Sequence, residues 1–393
     1  MSLTRTEKVK TWIKTHIKIP FGVIIAICIF PVVLTALFYI LRPFGSVMDW
    51  VVTYISGPIR NFYGLLSSIY PFALMEVLLT AGGIFLIYYI IKSIRDTSRR
   101  RGRWKLLGKK LLPILVIACY LWGAFCWLWN SGYHGASFAE KNGLVSYGVE
   151  TSDLIAVTEF FAENINELSL LMERDEDGYI IFDRREVFAA SRDVYKNISE
   201  DFPSLGGTLY PPKPMLYSWL MSVTGYSGMY FALTGEAMIN TDPPGVYIPV
   251  TVAHEHAHQL GVFAEDEANF VGILACVTSD NLAFEYAGYM SGYNYLSNAL
   301  YMADYDAWLR IWNELTDEVK LDRAQTSDFW ASTNISNTRI EFLDNILSAL
   351  MRTTRSTVNT VYDEFLKSND QELGIMSYGA CVDLLVLYFN EQN

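Results

Sequence analysis

The sequence predicts a mainly α-helical protein with a small β-sheet, in which three transmembrane helices precede an α+β extracytoplasmic domain. Three observations predict this class. Hydrophobic residues make up 51% of the 393 residues, and the mean hydropathy of +0.20 is high for a water-soluble chain of this length. Long apolar runs are concentrated in residues 1–130, the predicted membrane anchor, and acidic residues in residues 131–393, the predicted outer domain.

Three stretches are long and apolar enough to cross a bilayer, which needs about 20 apolar residues in a helix. They lie at about residues 21–41, 72–91 and 111–129. The first run is long for a signal peptide, and no small-x-small cleavage site follows it, so we expect a retained anchor. Pro31 lies inside this run, and membrane helices tolerate proline where neighbouring groups satisfy the freed carbonyl.

Lysine and arginine are distributed unevenly around these runs. Residues 92–110 contain nine of them against the single acid Asp96, whereas residues 42–70 contain only two. Five more precede the first run, namely Arg5, Lys8, Lys10, Lys14 and Lys18. Basic loops of membrane proteins stay on the cytoplasmic side. We therefore expect a multi-pass protein of the cell membrane with a cytoplasmic N-terminus and an extracytoplasmic domain from residue 131 onward.

The basic cluster Arg99–Arg103 has two interpretations. It is either a topology signal alone, which we favour, or a site for anionic lipid or a partner.

Glu76 lies near the predicted outer end of the second span, and it also has two interpretations. An acid at membrane depth either is functional or reaches headgroups and water. The aromatic stretch 45–70 is expected to lie along the outer membrane surface.

Charge and cysteine content narrow the classes of function. Residues 1–130 hold 16 Lys/Arg and 4 Asp/Glu, and residues 131–393 hold 14 and 38. So acidic a domain would repel phosphates, which argues against nucleic acid as a partner. Of the five cysteines, only Cys276 and Cys381 lie in the outer domain. We favour two buried thiols there, with a disulfide as the alternative.

The outer domain is predicted to be mostly helical. Strands are expected only within residues 228–240, ahead of a turn at Asp242. The other predicted elements are a helix at 151–174, a turn at 174–178, a helix at 185–198, a loop at 203–214 and helices from 250 onward, with a break at 286–295.

The sequence His254-Glu-His-Ala-His258 fits the pattern His-Glu-x-x-His. Residues four apart lie on one face of a helix, so both imidazoles can bind one metal ion. Glu255 would then lie beside the metal and accept a proton from an attacking water, as catalysis by Zn²⁺ requires. Gly261 is expected to end the helix.

A catalytic zinc needs a third protein ligand and an open position. Glu265 is the preferred third ligand, and Glu267 is the alternative. Asn269 follows Glu265 by four residues on the same helix and is expected to orient a ligand imidazole. His256 points away from the metal face and is read as a surface or supporting residue, and His16 and His134 as structural residues. The alternative to a metal site is a helix with solvated histidines and acids.

His254-Glu-x-x-His258 with Glu265-x-x-x-Asn269 resembles the gluzincin group of metallopeptidases. Together with the stretch Thr234–Asn240, these motifs also resemble an uncharacterised family of bacterial membrane proteins with a zincin-like domain, over most of the chain. The resemblance implies a zincin-like fold with Glu265 as the third zinc ligand, and it supplies no substrate. The interval from His258 to Glu265 is short for a gluzincin, so the chain must turn back sharply at Gly261.

In zincins an edge strand above the site pairs with extended substrate. The stretch Phe231–Asn240 is the corresponding candidate, with Gly235 and Glu236 as predicted substrate-binding residues. Glu236 is either a partner for a substrate amine or a solvent-facing strand residue. Three tyrosines are candidates to stabilise the oxyanion, with core packing as the alternative: Tyr286, Tyr289 and Tyr293.

These features predict a membrane-anchored zinc metallopeptidase that hydrolyses a protein or peptide, with Glu255 as catalytic base. The alternative is a non-catalytic zinc-binding membrane sensor or scaffold. An open coordination position favours the enzyme, and a fourth protein ligand would favour the scaffold. The sequence indicates neither the substrate nor the oligomeric state.

Overall fold

The computed structural model describes residues 20–144, 148–333, 360, 364 and 378–390. These residues are mainly helical, with one three-stranded sheet and three helices apolar and long enough to span a membrane, which confirms the predicted class. His16 and the five basic residues before the first span lie outside the described residues.

The chain forms two compact units. The first comprises Met1–Pro43 and Ile84–Trp127, and the second comprises Phe44–Gly83 and Leu128–Asn393. The predicted boundary at residue 130 stays a prediction; by compactness, residues 44–83 group with the later part of the chain. Hydropathy does not reveal this, because it reports which side chains are apolar and not which elements they contact.

The three apolar helices are α1 (Phe21–Leu41), α4 (Leu74–Thr97) and α5 (Arg103–Leu128). The first matches its predicted bounds, with Pro31 inside it. The other two extend by several residues into the basic stretch 92–110. Lysine and arginine are good helix formers, so the helices continue past the point where the apolar pattern stops.

Between α1 and α4 the second unit begins with α2 (Gly45–Val51), a π-helical turn (Val52–Ser56) and α3 (Gly57–Ser67). The aromatic stretch 45–70 is thus mostly helical. On α3, Arg60, Gly64 and Ser67 are buried, whereas the remaining side chains are largely exposed.

Helices form most of the second unit. Beyond α5 they are α6 (Phe138–Asn142), α7 (Thr151–Ser169), α8 (Arg184–Ala190), α9 (Ser218–Thr224), α10 (Ile248–Leu260), α11 (Glu265–Val277), α12 (Leu282–Ala303), α13 (Tyr305–Glu314), α14 (Asp317–Ser332) and α15 (Tyr378–Asn390). Short 3-10 turns lie at Asn130–His134, Ser191–Asp193, Pro203–Leu205 and Gly245–Tyr247.

The core of this unit forms where α7, α10, α11 and α12 meet. The apolar residues of α7 recur at helical spacing and are buried, as predicted. The break predicted at 286–295 is wrong, because α12 runs through it without interruption. Gly288 and Gly292 allow close packing there: a Cβ on Gly292 would lie 2.2 Å from the Phe161 ring. Cys276 and Cys381 are buried free thiols, as favoured.

The sheet has the order β1-β3-β2, with β1 at Lys213–Pro214, β2 at Gly228–Phe231 and β3 at Glu236–Ile239. β2 and β3 form an antiparallel hairpin, and β1 pairs with β3 in parallel. The stretch 203–214 therefore ends in a strand, although we predicted only a loop there. The hairpin turn needs Gly235, whose φ is +67° and where a Cβ would lie 2.3 Å from the Gly64 nitrogen.

Candidate metal centre

Helix α10 carries the His-Glu-x-x-His motif into the interior of the second unit. Pro249 lies in the first turn, where a missing N–H costs no helical hydrogen bond. The helix ends at Gly261, whose φ of +100° is readily adopted only by glycine. This left-handed residue turns the chain back within three residues, so that α11 begins at Glu265 beside the same face of α10.

The turn brings Glu265 to the two histidines. One carboxylate oxygen of Glu265 lies 3.2 Å from Nε2 of His254, and the other lies 3.5 Å from Nε2 of His258. The donor atoms of the three side chains all lie within 4.8 Å of one another. The spacing of these residues in the sequence predicted that Glu265, which lies beyond the turn, would come close to His254 and His258.

The donor set fits a zinc ion. With bonds of about 2.0–2.1 Å in a tetrahedral site, two donor atoms lie about 3.3 Å apart. The distances of 3.2 and 3.5 Å from the two oxygens of Glu265 to the nearer imidazole nitrogen of each histidine are close to this value. Two neutral imidazoles and one carboxylate are also a typical protein ligand set for a catalytic zinc.

His258 is held by two contacts to its ring and one to its backbone. Its Nδ1 lies 2.7 Å from the carbonyl oxygen of Val262, which fixes Nδ1 as the donor and leaves Nε2 free to bind a metal. The Trp129 ring lies edge-on to it at 5.4 Å. The guanidinium of Arg60 donates to the backbone oxygen of His258 at 3.1 Å and lies over the ring of Phe263.

Glu255 lies beside the two ligand candidates but outside the donor group. Its carboxyl is buried, with 4% of the residue exposed. Within the described residues its Oε2 atom has no hydrogen-bond partner. It lies against β2, where a Cβ on Gly228 would come within 2.5 Å of Oε1. Glycine at 228 therefore leaves room for this carboxyl. We refer to His254, Glu255, His258 and Glu265 as the histidine cluster.

The charges of the histidine cluster favour a positive charge in the space between its four side chains. Burial raises the pKa of Glu255 to about 7, although both imidazoles oppose this shift. Burial acts to lower the pKa of His258, but the Glu265 carboxylate outweighs it and raises this pKa to about 9. Burial likewise acts to raise the pKa of Glu265, yet His258 and His254 hold it well below its usual range.

Glu267, the alternative third ligand, is engaged elsewhere. Its two carboxylate oxygens accept hydrogen bonds from the backbone N–H groups of Phe138 and Ala139, at 2.8 and 2.7 Å. These are the first residues of α6, so Glu267 satisfies a helix N-terminus and adds favourable charge to it. The structure brings Glu265 and not Glu267 to the histidines.

Asn269 and His256 occupy positions different from those expected. Among the described hydrogen bonds none joins Asn269 to an imidazole; the carbonyl of Val262 orients His258 instead. His256 is fully buried, with Nε2 at 3.2 Å from the Ser191 hydroxyl, so the surface interpretation is wrong. Burial lowers the pKa of His256 to about 3, which keeps its ring neutral.

The predicted substrate-binding residues lie inside the protein. Glu236 is 2% exposed and pairs with Lys213 at 2.6 Å. It also accepts hydrogen bonds from the backbone N–H groups of Leu74 and Met75 at the start of α4. Gly235 is buried against α3, and its carbonyl accepts from the Gln259 amide. The strand β3 is central, so the predicted edge strand is wrong, and β2 lies at the edge of the described sheet.

The three candidate tyrosines pack in the core. Tyr286 donates to Asp322 at 2.5 Å, the Tyr289 ring packs against that of Phe161 at 5.2 Å, and Tyr293 lies under the guanidinium of Arg323. The core-packing alternative therefore accounts for all three.

Sequence reasoning missed four residues that shape the site: Arg60, Trp129, Gly228 and Val262. The first two lie more than 100 residues before the motif, and Val262 contributes only a backbone carbonyl. Gly228 offers the one usable signal, because a glycine inside a strand often marks a close approach of another group.

A family model described as "Protein of unknown function (DUF3810)" matches residues 52–386. The matched region contains α4, α5 and the whole histidine cluster. Comparison with curated proteins and with solved structures gives no significant match. Because the match covers well over half of the chain, the protein belongs to the DUF3810 family.

Proposed function

We propose that this protein is a membrane-anchored, zinc-dependent metallopeptidase. The observation that carries the proposal is the histidine cluster itself: three donor side chains whose ligand atoms lie within 4.8 Å of one another, and a buried carboxyl beside them whose Oε2 has no described partner. A structural zinc site would not need Glu255. Hydrolysis needs a base in that place, because the attacking water must lose a proton.

Each side chain of the cluster has a defined task in this proposal. His254, His258 and Glu265 would hold the ion, which when bound would supply Lewis acidity that polarises the scissile carbonyl and acidifies water. Glu255 accepts the proton as the water oxygen bonds to the carbonyl carbon. It then donates that proton to the amide nitrogen as the C–N bond breaks. A carboxyl with a pKa near 7 is suited to both transfers.

Two further observations support an enzyme over a zinc-binding sensor or scaffold. The donor group found among the described residues has three members, so a coordination position remains for substrate or water. The motif helix followed by an acid at the start of the next helix also agrees with the resemblance to gluzincins, although the short glycine turn between them departs from it. A fourth protein ligand would instead favour the scaffold.

The proposal includes an extracytoplasmic position for the second unit. Its support is the basic stretch 92–110, which forms the end of α4, the connecting turn and the start of α5. Cysteine introduced at Arg101 should be protected from a membrane-impermeant maleimide in intact cells, and cysteine at Leu171, in the second unit, should react. The reverse pattern would overturn this orientation.

The activity is tested on the purified full-length protein with a mixture of fluorogenic peptides. We expect zinc-dependent cleavage in the wild type, and a rate about 10³-fold lower in Glu255→Gln, since general acid–base catalysis contributes about 10²–10⁴-fold. Zinc content should be equal in the two proteins. Glu176→Gln, at an exposed turn, is the matched control and should cleave at the wild-type rate. Equal cleavage by Glu255→Gln would contradict the proposed role.

A further inference from the structure

An exposed apolar surface lies on the second unit, remote in sequence from the histidine cluster. It is formed by Leu216, Tyr217, Trp219 and Leu220, which are 56%, 39%, 57% and 41% exposed. No charged residue occurs from Met215 to Gly225. Contiguous apolar side chains of this kind on a folded surface mark a site of interaction. We call residues 216–220 the apolar segment.

The apolar segment is attached to the first turns of α4, the second membrane-spanning helix. On its inner side Met215 and Met221 are buried in a small cluster that includes Ala73 and Met75. The Tyr217 hydroxyl lies 3.0 Å from that of Thr80. Thr80 is about 1.7 turns beyond Leu74, about 9 Å along the helix axis. Tyr217 therefore lies beside the body of α4 and not only beside its end.

Glu76 completes this attachment. It is 4% exposed, and its two carboxylate oxygens accept hydrogen bonds from the backbone N–H groups of Leu216 and Tyr217, at 2.6 and 3.0 Å. The acid predicted to be functional or to reach headgroups thus binds the backbone of the apolar segment. An acid and two backbone donors placed at membrane depth satisfy one another, which removes much of the cost of leaving water.

The length of α4 sets the depth of these contacts. Between Glu76 and the next charged residue, Lys92, lie 15 uncharged residues, which extend about 22 Å as a helix. The hydrocarbon core of a bilayer is about 30 Å thick. The uncharged stretch is too short to cross it alone, so the turn that contains Glu76, the turn that contains Lys92, or both must enter the hydrocarbon or its boundary. We place the Glu76 turn there, because its carboxylate already accepts hydrogen bonds from two backbone N–H groups. The groups that bind Glu76 and Thr80 lie at the same depth.

We propose that the apolar segment is inserted into the bilayer that α4 crosses, with Leu216, Trp219 and Leu220 against lipid acyl chains. The segment contacts α4 on the face of Glu76 and Thr80, and α4 exposes apolar side chains at the same level on its other faces, with Leu78 and Leu79 54% and 60% exposed. Interfacial helices bury their apolar faces about 5–10 Å deep, and the position of Thr80 agrees with that depth. The proposal does not depend on the peptidase activity.

Depth-dependent quenching on the reconstituted full-length protein tests this proposal. Cysteine replaces Leu216, Leu78 or Leu171 in a Cys28→Ser, Cys119→Ser background, and each protein carries a polarity-sensitive fluorophore in phosphatidylcholine vesicles. Leu78 is the lipid reference on α4. Leu171, 64% exposed on the second unit, is the matched water reference. A protein without an introduced cysteine gives the background from the three buried thiols.

We expect the label at 216 to behave like the label at 78: blue-shifted, and quenched several-fold more by nitroxide lipids than by aqueous iodide. The label at 171 should show the opposite preference. Equal iodide quenching at 216 and 171 would overturn the proposal, because the segment would then lie in water. Protection of 216 from both quenchers would overturn it as well, since a protein and not lipid would cover the surface.

Discussion

Two of the buried polar clusters in the described part of the second unit are built in opposite ways. In one, Arg174 donates two hydrogen bonds to the carboxylate of Asp322, both of 2.9 Å, and Tyr286 donates a third. Asp322 is 1% exposed, and both of its oxygens are engaged. In the histidine cluster, by contrast, Oε2 of the Glu255 carboxyl has no hydrogen-bond partner among the described residues. Each cluster also has one unpartnered nitrogen there, Nε of Arg174 and Nδ1 of His254, so the contrast concerns the carboxyl groups.

We interpret the difference as that between a structural cluster and one that serves the proposed function. A buried carboxylate with matched donors holds its neighbours together, and removing it leaves a guanidinium without its partner. A buried carboxyl without donors costs stability and persists where a function needs it. The comparison predicts that mutations in the first cluster change stability, whereas mutations in the second change metal content and turnover.

The largest effect on metal content is expected for the ligands. His258→Ala and Glu265→Gln each remove one of three donors, so zinc should fall from about one equivalent per chain, the stoichiometry of a single site with three protein ligands, to a small fraction of it. Elemental analysis of the purified full-length proteins measures this. Glu267→Gln is the matched control, two residues from Glu265, and should retain its zinc. Loss of zinc in Glu267→Gln with retention in Glu265→Gln would reverse the assignment.

A smaller effect on turnover is expected for Gly228→Ala. The new methyl group would lie 2.5 Å from Oε1 of Glu255, and the carboxyl must move. A misplacement of about 1 Å costs about 10²-fold in rate, so peptide cleavage should fall by that order while zinc content stays unchanged. Met229→Ala, on the next and exposed position of β2, should cleave normally. Unimpaired cleavage by Gly228→Ala would argue against Glu255 as the base.

Mutation of the Arg174–Asp322–Tyr286 cluster should lower stability and leave zinc content unchanged. Asp322→Ala leaves Arg174 and Tyr286 without their acceptor and should lower the free energy of unfolding by about 3 kcal/mol. Thermal or denaturant unfolding in detergent measures the change, and the zinc content of the folded protein should remain at the wild-type value. Asp328→Ala, at an exposed position of the same helix, should have little effect. Similar unfolding curves for both variants would remove the distinction between the clusters.

The sequence predicted those parts of the molecule that depend on local pattern. Hydropathy located three apolar helices, and spacing along one helix placed His254 and His258 on one face. The glycine at 261 predicted the turn that brings in Glu265. Each of these follows from periodicity or from a single backbone preference.

What the sequence did not predict depends on partners far apart along the chain. Glu236 looked like a substrate-binding residue because nothing near it reveals Lys213 or the start of α4 as its partners. Glu267 looked like a possible ligand because its engagement with α6 begins 129 residues earlier. The strand β1 is only two residues long, too short to carry an alternating pattern.

The central claim is that His254, His258 and Glu265 bind one ion, and X-ray absorption at the zinc edge tests it most directly. For the purified full-length protein we expect two imidazoles and oxygen donors at about 2.0–2.1 Å. His258→Ala reloaded with zinc should lose one imidazole from that spectrum, whereas Glu267→Gln should leave it unchanged. A wild-type protein that binds no zinc, or an unchanged imidazole signal in His258→Ala, would contradict the claim.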